Sequence, residues 1–198
     1  MLKKVRPKIK MFFLTMDGFP MGCLSSAIEP LRVTNEIIGY ELFEWSLVSE
    51  NQVPTKSSAK VSFDNDLDLE KISDGDFLFI LSAPTSKFKN PGRANATVRR
   101  LFKSGIAIGA FSGGIFPLAK SGIMEGIQCS VHWCYEHVFR SQFVNVRHSN
   151  SVIAVDKNRY TASGAGAVFD LMLTIIEKEL GSVLMTEVAC WFQHPYIR

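Results

Sequence analysis

The sequence predicts an α/β fold with a mainly parallel central sheet and helices on both of its faces. Three observations carry that prediction. Phe77–Leu81, FLFIL, is an unbroken apolar run too short for a helix, as expected of a central parallel strand buried on both faces. Apolar runs of this kind alternate along the chain with segments of helical period, the order that builds a parallel sheet. The third observation is the stretch Lys103–Ala119, KSGIAIGAFSGGIFPLA. It reads as a helix end, a short strand (Ile106–Phe111), a sharp turn at Ser112-Gly113-Gly114 and a new helix from Ile115. At such a corner Ser112 is lifted out of the sheet into the crevice beyond the strand ends, where open α/β sheets place their ligands. Gly113 and Gly114 permit the tight turn and leave N–H groups at a helix N-terminus, a receptor for a carboxylate or oxyanion.

The other elements follow in order. Ile9–Met16 is the first strand, stopped by Asp17-Gly18. Met21–Ile38 is a helix, with Leu24, Ile28, Leu31 and Ile38 on its apolar face and Gly39 as its stop. Phe43–Ser49 is a strand and Lys60–Phe63 a short one. Ala94–Lys103 is a basic surface helix. Ile127–Val131 reads as a strand, Trp133–Phe143 as a helix, and Val144–Arg147, Val152–Val155 and Tyr160–Thr161 as short strands. Ala165–Leu180 and Val183–Phe192 are helices separated by Gly181. There is no internal repeat and no low-complexity linker.

A chain of 198 residues, 46% of them hydrophobic, closes one good core and at most a small appendage, so a single domain is expected over residues 1–198. The net charge of +3 is misleading, because Lys3, Lys4, Arg6, Lys8 and Lys10 precede the first acid and leave 17 basic against 19 acidic residues. A nucleic-acid-binding domain concentrates its bases on one face; this body does not, and the basic start reads as a solvated leader. Cys23, Cys129, Cys134 and Cys190 lack zinc-ligand spacing and sit in apolar stretches, which favours reduced, packed thiols in a cytoplasm. No run is long enough for a signal sequence or a membrane span. A soluble, cytoplasmic chain is expected.

The corner, the LAKSG helix after it and the His132-Trp133 pair resemble the PfpI-like, class I glutamine amidotransferase-like superfamily. More narrowly, they resemble the N-terminal sensing domain of AraC-family transcriptional regulators. The family pattern is a Gly, a strand, a Cys that is often replaced, Thr-Gly-Ala, an apolar Leu-Ala, a Gly-Leu-Leu-Asp-Gly turn and Thr-x-His-Trp. Here it reads GAF-SGG-IFPLAKSGIMEG-IQCSVHW, supported by GFPMGCLSSAIEPLRVTN and RYTASGAGAVFDLML, over roughly residues 9–195. The resemblance implies a flavodoxin-like three-layer α/β/α sandwich. It also implies a homodimeric sensor for a small-molecule effector, with no membrane partner. Regulators of this type continue into two helix-turn-helix units; this sequence contains none, so a sensor domain is expected that reaches DNA only through units missing from the chain.

Whether the corner does chemistry depends on its neighbours. Catalytic members carry a Cys where this chain has Ser112, and a serine must lose its proton to a base during attack. His132, twenty residues on and expected with Ser112 on two sequential strands ending at the same crevice, is the candidate base, and it needs a third group to fix its tautomer. The amidotransferase pattern places a Glu two residues after the histidine, where this chain has Cys134. Catalytic PfpI-like members also carry a Glu early in the first helix, a place that falls near Cys23, with Glu29 the nearest acid. With nucleophile, orienter and acid all changed, a non-catalytic domain is expected. The alternative is a small hydrolase, amidase or glyoxalase-like enzyme using Ser112 and His132, and a purely structural oligomerisation domain is a third option.

Glu29 either pairs with Arg32 on an exposed helix face or offers an anion to a cationic ligand. In the second case Phe19, Trp133 and Phe111 would add aromatic faces for an ammonium group, and Gly113 would receive a carboxylate at the other end. Ser112 and His132 complete the candidate ligand set of Phe19, Glu29, Ser112, Gly113, His132 and Trp133. By resemblance the effector is betaine-, carnitine- or arginine-like. Cys129 and Cys134 read as core packing rather than a redox pair, and His137 and His148 as surface residues. With His132 they make no metal-ligand spacing, and no cofactor is expected.

Overall fold

The computed structural model describes residues 7–194, so Lys3, Lys4 and Arg6 of the basic start lie outside the described residues. The strands are β1 (Ile9–Thr15), β2 (Phe43–Ser49), β3 (Thr55–Lys56), β4 (Ser62–Phe63), β5 (Leu67–Asp68), β6 (Phe77–Ser82), β7 (Ala107–Ser112), β8 (Gln128–Ser130), β9 (Arg147–Ser149), β10 (Ile153–Asp156) and β11 (Arg159–Ala162). The helices are α1 (Met21–Ile38), α2 (Pro91–Lys103), α3 (Ile115–Lys120), α4 (Glu136–Gln142), α5 (Ala165–Leu180) and α6 (Ser182–Trp191). Seven strands form one sheet in the order β10-β11-β7-β6-β1-β2-β5, parallel throughout except for the β10–β11 hairpin. That hairpin turns on Lys157 and Asn158, both at positive φ, the backbone that a two-residue connection needs to match strand twist.

The alternation along each central strand divides the core into two layers. Met11, Phe13, Phe77, Phe79 and Leu81 face α1, α5 and α6, where Leu24, Leu31, Val168, Leu171 and Val188 meet them. Phe12, Leu14, Leu78 and Ile80 face the other way, against Val98, Leu101, Phe116 and Phe139 of α2, α3 and α4. The mainly parallel three-layer sandwich read from the sequence is therefore the observed architecture. Phe79 sits at the centre of the first layer, its ring 4.6 Å from that of Phe111, 5.8 Å from Phe77 and 5.9 Å from Phe13. Gly109 on β7 makes room for it, since a Cβ there would overlap the Phe79 ring.

Several boundaries shift for identifiable reasons. Helix α2 starts at Pro91 rather than Ala94, because Asn90 caps it by accepting the Arg93 N–H and proline suits the first helical position. Trp133–Tyr135 forms a 3₁₀ turn ahead of α4 rather than the start of one long helix. The strand expected at Val144–Arg147 forms at Arg147–Ser149, leaving Val144 81% exposed. The short β3 and β5 carry too few residues to show a pattern. One correction matters for the site: β8 does not join the main sheet but pairs with β9 in a separate two-stranded ribbon. Ser112 and His132 are thus not at the ends of neighbouring strands of one sheet.

Of the four thiols, Cys23 and Cys129 are buried, whereas Cys134 and Cys190 are exposed, against the expectation that Cys134 is core packing. Burial pushes the Cys23 and Cys129 thiols from an ordinary 9.0 up to about 12. Both stay protonated in the fold at pH values where an unfolded thiol ionises. Their contribution is therefore complete below about pH 9 and is lost as pH rises from there towards 12. Chemical denaturation should show stability falling across that alkaline window, and replacing both cysteines by alanine should flatten the fall; an equally steep fall in the double variant would contradict this. Phe79→Ala should cost about 3–5 kcal/mol in the same measurement.

Candidate functional site

The corner is built by close backbone approach. Ser112 ends β7 in the left-handed region, with φ 53°, a conformation that costs a residue with a side chain about 1–3 kcal/mol. A Cβ on Gly113 would overlap the Ser82 carbonyl and the Ala83 backbone, and one on Gly114 would overlap the Ile80 carbonyl. The turn is pressed flat against the end of β6, and only glycine fits at those two places. Inside the turn the Gly114 N–H donates to the Phe111 carbonyl at 3.0 Å, so one of the amides expected to receive an anion already has a partner.

Ser112 Oγ lies 2.6 Å from the hydroxyl of Tyr135, a residue that the sequence analysis did not single out. Desolvation raises the Tyr135 phenol to about 12, with the Ser112 hydrogen bond acting in the opposite direction. Tyr135 is a neutral phenol at neutral pH, and it occupies the position beside Ser112 where a general base is required. His132 is oriented otherwise. Its Nδ1 accepts the Cys134 N–H at 3.2 Å, its ring stacks on Tyr135 with centroids 5.3 Å apart, and Gly164 lies beside its other edge. Among the described residues no hydrogen bond joins His132 to Ser112 and no carboxylate contacts the imidazole. The aromatic stack explains the placement: a turn that sets His132 and Tyr135 face to face delivers the phenol, not the imidazole, to the corner.

The other sequence candidates are dispersed. Phe19 has no exposed surface and packs edge-on to Phe63, 5.4 Å between centroids. Phe111 is likewise fully buried, stacked on Phe79. Glu29 accepts from the Arg32 guanidinium at 2.9 and 3.0 Å on the outer face of α1, where Arg32 also binds Glu36. Trp133 is 80% exposed and touches the site only through its stack on His132. His137 is exposed, but the His148 side chain is largely covered and lies 3.5 Å from the Glu136 carboxylate. No group of three or more His, Cys, Asp or Glu side chains able to hold a metal occurs among the described residues. No described helix is long and apolar enough to cross a membrane.

Open volume at this end of the sheet lies beside the corner. The strand order reverses between β1 and β6, and a cavity of about 290 Å³ opens outside the carboxyl ends of β1 and β2. Thr15, Met16 and Asp17 wall it on one side, Ser49, Glu50 and Thr55 on another, and Ser86, Lys87 and Lys89 close it from the loop after β6. The first residues of that loop, Ala83 and Pro84, are the ones packed against Gly113, so one loop borders both the corner and the cavity. Locating the cavity requires the spatial order of the strands, for which the sequence carries no direct signal.

Comparison with known proteins agrees with this architecture. Residues 19–178 match the DJ-1/PfpI family. The HTH-type transcriptional regulator GbdR of Pseudomonas aeruginosa is 31% identical over 189 residues, covering 94% of this chain and 51% of the regulator. The HTH-type transcriptional regulator CdhR of the same species is 28% identical over 187 residues, covering 94% and 55%. This chain spans about half the length of the curated relatives it matches. In fold it is similar to an AraC family transcriptional regulator from Pseudomonas putida, with a TM-score of 0.84 at 18% identity over 93% of this chain and 99% of that one. Matched from residue 19 to residue 178, the chain belongs to the DJ-1/PfpI family.

Proposed function

We propose that this chain is the ligand-sensing and dimerising part of an AraC-type transcriptional regulator and is not an enzyme. The observation that carries this reading is the 2.6 Å contact between Ser112 and Tyr135. It gives the corner hydroxyl a neutral partner where catalysis needs a base. Relatives that align over nearly the whole chain are named as helix-turn-helix regulators, which supports the same conclusion from outside the site. The effector is a small cytoplasmic metabolite, an amino acid or a quaternary ammonium compound of the betaine, carnitine or arginine type. The protein partner is a second copy. Contact with DNA belongs to a helix-turn-helix unit of the kind that names the relatives. Binding acts by differential affinity for two subunit arrangements.

The strained Ser112 backbone is the one feature that favours the second reading, a hydrolase, amidase or glyoxalase-like enzyme working through Ser112 and His132. Calorimetric titration of the domain with betaine, carnitine and arginine should give saturable binding of at least one. Amides, esters and 2-oxoaldehydes should remain intact in its presence. Turnover that disappears in Ser112→Ala would establish the enzyme instead.

A further inference from the structure

The cavity beside β1 and β2 has a distribution of charge and surface that specifies a ligand class. Its floor is rigid. Thr15 Oγ1 lies 2.7 Å from Thr55 Oγ1 and 2.9 Å from Asn65 Oδ1, and all three residues are buried. Both rim carboxylates are held by backbone amides. Asp17 Oδ1 accepts the Lys56 N–H at 2.8 Å, and Glu50 accepts the Lys89 and Asn90 N–H groups at 2.6 Å each. A carboxylate has about four acceptor sites, so each keeps acceptor capacity beyond these amides. On the loop opposite, the Lys87 and Lys89 ammonium groups are exposed, and among the described residues neither has an ion-pair or hydrogen-bond partner. A second, independent feature marks the same place. Asn51 and Gln52, which join the wall residues Glu50 and Val53, are consecutive non-glycine residues at φ 71° and 52°, and strain of that kind collects at functional sites.

We infer that this cavity, and not the Ser112 corner, is the effector seat, and that it takes a small amino-acid-like zwitterion with N–H groups on its cationic end. The ligand carboxylate meets Lys87 and Lys89; the cation meets Asp17 and Glu50. Among the described residues no aromatic ring lines the cavity, so they offer it no face on which a quaternary ammonium group is held. Hydroxyls and carboxylates instead reward a cation that can donate hydrogen bonds. The volume of about 290 Å³ corresponds to about ten water molecules and falls at the small end for ligand pockets. The ligand shares its loop with the corner: Ser86 Oγ donates to the Asp17 carbonyl at 2.8 Å, while Ala83 and Pro84 abut Gly113. Occupation of the cavity therefore bears on the segment that touches the corner.

This inference rests on the sensor function proposed above, and one titration separates the two. Glycine, lysine and arginine are compared by calorimetry with N-trimethylglycine and carnitine, on the unaltered domain and on three variants. At least one free amino acid should bind and outcompete the trimethylated compounds. Lys87→Met combined with Lys89→Met, at exposed positions that the core does not use, should weaken that binding about tenfold or more. Asp17→Asn, which keeps an acceptor for the Lys56 N–H, should weaken it as well, and Ser112→Ala should leave it unchanged. Binding that ignores the lysine and Asp17 variants, or that favours the trimethylated compounds, would overturn this placement and leave the sensor standing. Silence from all five compounds at millimolar concentration would overturn both.

Discussion

Everything at the carboxyl end of the sheet depends on how tightly the turn after β7 is pressed against the end of β6. Gly113 and Gly114 have no room for a side chain because the Ile80 and Ser82 carbonyls occupy that space. Such contact leaves the chain a single way to turn, and it forces Ser112 into a left-handed backbone. The serine is thereby aimed outward from the sheet whatever its chemistry. A strained corner alone does not make a nucleophile; what surrounds the raised side chain decides that.

Around Ser112 the hydrogen-bonding partner is a neutral phenol. Tyr135 reaches the hydroxyl, Cys23 lies deep in the adjoining core with a thiol that burial keeps protonated, and His132 is turned to stack on the tyrosine. Polar and charged groups gather on the far side of the loop after β6, around the cavity that Asp17, Glu50, Lys87 and Lys89 border. The end of the sheet is thus divided into a corner, whose hydrogen bond is made within the protein, and a cavity bordered by charged side chains. The loop from Ala83 to Lys89 is the partition between them, and it touches both.

The sheet was legible in the sequence because its signals are local. Phe77–Leu81, the αL stop at Gly39 and the Ser-Gly-Gly corner each state their structure within a few residues, and α1 and β2 fall where periodicity puts them. Misplacements arose where pairing is not local. Nothing in Ile127–Val131 says that β8 pairs with β9 instead of extending the main sheet. The same gap affected the site. His132 was identifiable as a polar residue near the corner, but the stack that substitutes Tyr135 for it depends on a 3₁₀ turn, which a helical pattern conceals. Glu29 met Arg32, its neighbour one turn along the helix, as the i,i+3 spacing allowed. Phe19 has the sequence position of a ligand face, yet its ring packs on Phe63. The cavity needed the strand order, and its residues come from three separate loops.

The central claim is that the Ser112 hydroxyl is held by Tyr135 and has no base to activate it. Treating the folded domain with a fluorophosphonate, which forms a covalent ester only with an activated serine, and mapping the products by peptide mass spectrometry tests that claim directly. The account predicts no adduct on the peptide containing Ser112. A phosphonylated Ser112 that disappears in His132→Ala would contradict it.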